Sequence, residues 1–230
     1  MKNFSAYPDE RLEIKGKCLY CGKTCMVTKE HVPSKIFLDK PYPKDITTVY
    51  ACEECNKSFA LHEEYMAAII ECAICGSTDA KKLKREKIIK TLGHSEKLRK
   101  SLRNSKRKTE EGIFWHPELK RISIVVEKIA RGHLYHELNL TDETLPHIET
   151  FLLDELNETE RKQFEIPQRH LWPEVASRLL RRCVEGDENM EGDWIVVQKK
   201  RYRYTVTQEF YDEVRMVFSE YLGCRVAWIN

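Results

Sequence analysis

"CLYCGKTCMVTKEHVPSKIFLDKPYPKDITTVYACEECN", residues 18–56, is the stretch on which the fold turns. Two Cys-x-x-Cys pairs, Cys18/Cys21 and Cys52/Cys55, enclose thirty residues. Each pair turns the backbone so that two sulfurs converge, and tetrahedral Zn2+ takes two such knuckles. Gly22 follows the first pair and a helix start follows the second, so a hairpin knuckle and a helix-capping knuckle are expected. Between them the residues propose a strand near 24–31, a Pro-punctuated loop "VPSKIFLDKPYPKD" and a second strand "ITTVYA".

The bulk properties bound the rest. At 230 residues, 41% of them apolar and 10% aromatic, the chain can bury a real core, which excludes wholesale disorder. No apolar run approaches the roughly 20 residues that cross a bilayer, and "MKNFSAYPDERLEIKGK" lacks the apolar core of a signal peptide. A cytoplasmic protein is therefore expected. Nine cysteines in that setting argue for metal ligation and free thiols rather than disulfides. Net charge is +2, but residues 81–108 hold thirteen Lys or Arg against Glu86 and Glu96, a local +11. The remainder, with 26 basic and 35 acidic residues, stands at −9. A polyanion-seeking segment on a mildly acidic body describes the chain better than its net charge does.

An α+β organisation in three parts is expected: 1–80 with the cysteine knuckles, a basic helical segment over 81–111, and an α+β region over 112–230. After Cys55, Phe59, Met66, Ile69, Ile70 and Ala73 fall on one helix face. The basic segment reads as two helices broken at Gly93. Pro117 marks another helix start, with Ile122, Val125, Val126 and Ile129 on one stripe. Further on, a helix opens at Trp172-Pro173, and Tyr202, Tyr204 and Val206 alternate as in a half-buried strand. Phe210, Val214, Val217 and Tyr221 suggest a helix, and "CRVAWI" a closing strand.

Glu30-His31 alone would read as a solvated polar pair. Its company changes that. The order Cys-x2-Cys, Glu30-His31-Val-Pro, Cys-x2-Cys-Asn56 resembles the HNH endonucleases, in particular the zinc-bearing subgroup typified by phage recombination endonuclease VII. The resemblance covers residues 18 to about 66. It implies a treble-clef-like ββα-metal module stapled by one structural Zn2+ on Cys18, Cys21, Cys52 and Cys55. It further implies that Glu30 and Asn56 hold a catalytic divalent ion while His31 activates water. Glu30 stands where Asp is more often found, and the middle asparagine of the family name would fall near Asp45.

The chemistry stands without the family name. Phosphodiester hydrolysis needs a base for water and a cation for charge on the leaving oxygen. Histidine titrates near neutrality, so His31 can take that proton, and the oxygens of Glu30 and Asn56 suit Mg2+ or Mn2+ better than Zn2+. His62, Glu63 and Glu64, one or two turns down the helix, are candidate third ligands. In a regular strand Glu30 and His31 would point to opposite faces, so a bend is expected there, with Pro33 as the stop.

Cys72 and Cys75 form a third pair, at helical spacing that favours packing over ligation. Cys25, Cys183 and Cys224 are read as core, and His94, His116, His133, His136, His147 and His170 as structural. Lys84, Lys87, Arg99 and Arg103 fall along helix faces interleaved with Ile88, Ile89, Leu98 and Leu102, an arrangement suited to phosphate contacts. The expected partner is nucleic acid, DNA before RNA, and no membrane. Residues 112–230 leave room for a partner protein or a homodimer. The competing class is a zinc-stabilised nucleic-acid-binding or interaction protein without catalysis. Resolvase-like, mobile-element and antiviral settings, phage defence among them, all suit the nuclease reading.

Overall fold

The computed structural model describes residues 14–110, 112–167, 173, 175 and 177–229. The first three strands, β1 (Ile14–Lys17), β2 (Thr24–Val32) and β3 (Thr47–Cys52), form an antiparallel sheet in that order. Helix α1 (Glu53–Ile74) starts directly from β3. Cys52 caps it, its sulfur accepting from the Cys55 N–H, and Glu53 and Glu54 complement the helix dipole in the first turn. The strand–strand–helix order expected for residues 24–74 is therefore present.

The basic segment forms two helices, α2 (Glu86–His94) and α3 (Glu96–Ser105), then a hairpin of β4 (Lys106–Thr109) and β5 (Gly112–Trp115). The break falls at Ser95 rather than Gly93. α2 tolerates the glycine, whereas the Ser95 hydroxyl accepts from the Leu98 N–H and opens α3. Helix α4 (Leu119–Leu138) starts just past Pro117 and ends at Asn139, whose left-handed φ of 58° is one that asparagine tolerates.

The last third carries β6 (His147–Leu152), α5 (Glu158–Glu165), α6 (Arg178–Glu185), β7 (Met190–Glu191), β8 (Trp194–Gln198), β9 (Tyr202–Gln208), β10 (Asp212–Phe218) and β11 (Leu222–Trp228). Its antiparallel sheet runs β6-β11-β10-β9-β8-β7. The helix expected through Phe210, Val214, Val217 and Tyr221 is instead β10, paired along its length with β9 and β11. β10 is buried on both sides, so its apolar residues carry no clean period of two, and Phe210 is 93% exposed before the strand begins. The proposed helix opening at Trp172 lies outside the described residues, as does His170.

One hydrophobic cluster runs from Val32, Phe37 and Val49 through Met66 and Ile69 of α1, Leu92 and Leu102 of the basic helices and Val126 and Ile129 of α4, to Tyr204, Met216 and Trp228 of the large sheet. α4 is its hub, packed on α1, on β2 and β3, and on the large sheet. No helix among the described residues is long and apolar enough to cross a membrane.

Candidate functional site

The knuckles close on each other. The Cys18 N–H donates to the Lys23 carbonyl and the Gly22 N–H to the Cys18 carbonyl, and Gly22 takes the φ of +69° that this tight turn requires. The Cys52 N–H then donates to Cys18 Sγ at 3.3 Å. The four sulfurs of Cys18, Cys21, Cys52 and Cys55 lie within 4.8 Å of one another, with Cys21 and Cys52 at 3.9 Å. Four thiolates on one Zn2+ at about 2.3 Å would stand about 3.8 Å apart, so the cluster could hold a structural metal such as zinc. Burial opposes the Cys18 thiolate, but the amides of Cys52, Cys21 and Tyr20 outweigh it and bring the thiol down to about 7. Among the described residues no other His, Cys, Asp and Glu side chains gather three ligands this closely. Cys72 and Cys75 stay apart from the cluster. Burial and then Glu71 push the Cys72 thiol up to about 12, and Cys75 Sγ donates to Glu71 Oε1.

Glu30 and His31 sit in a ladder that stays in register, Glu30 opposite Val49 and His31 opposite Thr48. The expected bend is absent. Successive strand residues leave on opposite faces, so Glu30 shares the inner face with Val32 and Val49, while half-buried His31 lies on the other with Thr48 and Tyr50. Asn56, half-buried in the first turn of α1, shares a helix face with Phe59 and Glu63.

The buried Glu30 carboxylate already has a cation. Lys128 Nζ of α4 stands 2.5 Å from Glu30 Oε1 and 2.6 Å from Glu63 Oε1. Its ammonium also lies 5.1 Å from the centroid of the Phe59 ring. Sequence reasoning passes over Lys128, yet a signal is present. It falls three residues after Val125 and four before Gly132, inside the apolar stripe of α4, where a lysine needs acidic partners. Of the candidate third ligands, Glu63 is thus an ion-pair partner. His62 Nδ1 accepts from Arg121 Nε at 3.4 Å, and burial followed by the Arg121 charge lowers its pKa. Asp45 is exposed in the turn before β3.

On α2 and α3, Ile88, Leu92, Leu98 and Leu102 face inward. Lys84 lies before α2 rather than on a helix face; it and Arg103 are exposed, and Lys87 and Arg99 are half-buried, with Lys87 Nζ near Tyr42. Arg85 is the exception among the thirteen cations. It is buried and donates to the carbonyls of Ile36 and Leu38 and to Asp39, tying the loop after β2 to the basic segment.

Together these features define an α+β chain with a four-cysteine centre beside an acidic pair neutralised by an internal lysine. No protein-family model matches it, and no curated protein or solved structure does either.

Proposed function

We propose that the chain is an HNH-type endonuclease that hydrolyses phosphodiester bonds in DNA. The observation that carries this reading is the closing of the four cysteines around the hairpin and helix that present His31 and Asn56 in the family's order. In it, half-buried His31 takes the proton of the attacking water, a task suited to an imidazole side chain. The cysteine cluster fixes the start of α1 against β3, and with it the position of Asn56. The exposed cations of α2 and α3 engage the phosphate backbone, which supplies affinity without base recognition. This reading assigns Mg2+ or Mn2+ to Glu30 and Asn56. As folded, the Glu30 carboxylate belongs to Lys128 and does not fit a divalent ion.

That same ion pair favours a second reading, a zinc-stabilised module that binds nucleic acid without cutting it. Incubation of the purified protein with plasmid DNA and with RNA, in Mg2+ and in Mn2+, separates the two. Cleavage that falls by roughly 10²–10⁴-fold in His31→Ala, with DNA affinity and metal content unchanged, is the expected result. Equal cleavage by a folded His31→Ala protein, or none by wild type, overturns the catalytic reading.

A further inference from the structure

We propose that Glu30 and Glu63 form a cation site whose resident cation is the chain's own Lys128, and that this ammonium stands where a divalent metal ion would otherwise bind. This goes beyond phosphodiester cleavage, and it removes Glu30 from the ligands of any ion that cleavage uses.

Both carboxylates share one buried cation. Two carboxylate oxygens, one from β2 and one from α1, converge on a single positive centre at 2.5 and 2.6 Å. The side chains are 1% exposed at Lys128, 11% at Glu30 and 7% at Glu63, so water does little to screen them. Tyr20 lies near the pair, and its buried hydroxyl has no hydrogen-bond partner among the described residues. Its ring packs edge-on against Phe59 and lies 6.0 Å from Lys128 Nζ.

The ammonium is delivered by the packing of α4 along β2. Lys128 meets Glu30, and Gly132, four residues on, meets Val32, two residues on. Four helical residues rise about 6 Å and two strand residues about 6.6 Å, so the contacts stay in step. Lys128 is thus held in place by the same seam that joins the hairpin to the rest of the core.

The test replaces the cation. Lys128→Met keeps most of the side-chain volume and removes the charge. With zinc retained, it is expected to bind about one Mn2+ per chain, seen by titration with electron paramagnetic resonance, and to gain thermal stability with Mn2+ where wild type gains none. Lys128→Met/Glu63→Gln should lose both effects. A Lys128→Met protein that folds and takes up no Mn2+ overturns the proposal. If that variant folds only when Mn2+ is present, the ion has replaced the ammonium and the proposal stands. Wild type gives a readout that needs no variant. In its amide NMR spectrum Mn2+ should leave Glu30, Glu63 and Lys128 unbroadened, and selective broadening there overturns the assignment. These results are independent of cleavage, so an inactive protein would sink the nuclease reading and leave this one standing.

Discussion

Gly132 of α4 lies against Val32 of β2 so closely that a Cβ on the glycine would stand 2.8 Å from Val32 Cγ2 and 2.9 Å from Cγ1. Both residues are in regular structure, so neither backbone yields easily. Gly132→Ala gains about 1 kcal/mol of helix propensity but forces this seam apart, and overpacking of that kind costs about 1–3 kcal/mol. Net destabilisation is expected in denaturant unfolding. Val32→Ala removes the opposing methyl groups, so the double variant should be more stable than the sum of the single changes predicts.

The cysteine cluster makes a prediction about folding. Elemental analysis should find about one zinc per chain, since four thiolates leave no open position. Cys18→Ser should release the metal and loosen the hairpin, because the Cys18 sulfur also accepts from the Cys52 N–H across the sheet. Two zincs per chain would show a second site beyond the four clustered cysteines.

How much of this was legible in the sequence differs from element to element. The knuckles, β2, β3 and α1 announce themselves, because cysteine spacing and a turn glycine are local signals with few alternatives. β10 does not. Its Val214 and Val217 fit a helical spacing until two neighbouring strands, fixed by distant turns, claim it from both sides. The candidate site divides in the same way. The order of Glu30, His31 and Asn56 is readable, but the partner of Glu30 lies 98 residues away on another element. A lysine inside an apolar stripe says that an acid must be near; it does not say which. Arg85 was hidden among thirteen cations for the opposite reason, since only its burial distinguishes it from the solvated ones.

Acid should loosen the contact between α4 and α6. Burial, followed by the charges of Arg178 and Arg182, holds His136 down to about 4, against an ordinary value near 6.5. Glu137, beside it, is paired with Arg182. A histidine depressed in the folded state binds fewer protons there than when unfolded. Stability is therefore intact above about pH 6.5 and is lost as pH falls toward 4, by up to about 3 kcal/mol. Fully buried His133 is shifted in the same direction and adds to the loss. His136→Gln should narrow the difference in unfolding free energy between pH 7 and pH 4.5, while carboxylate contributions, common to both proteins, cancel.

The basic helices make a prediction in which neighbouring cations behave oppositely. Lys84 and Arg103 are exposed, whereas Arg85 is buried and spends its guanidinium on the carbonyls of Ile36 and Leu38 and on Asp39. If α2 and α3 meet a nucleic-acid backbone, each lost phosphate contact should lower the slope of log affinity against log salt by about 0.9 on duplex DNA. Lys84→Ala/Arg103→Ala should therefore flatten that slope by close to 2 while leaving thermal stability near wild type. Arg85→Ala should do the reverse. It strands the carbonyls of Ile36 and Leu38 without their donor, at a cost of about 1–3 kcal/mol for each buried group left unsatisfied, while Asp39 keeps Arg201, and it should leave the salt slope of the folded fraction unchanged. Binding titrations from about 50 to 200 mM salt read the first effect and denaturant unfolding the second. A slope that Lys84→Ala/Arg103→Ala does not move would make these helices a solvated face and remove the phosphate contacts from the proposed function.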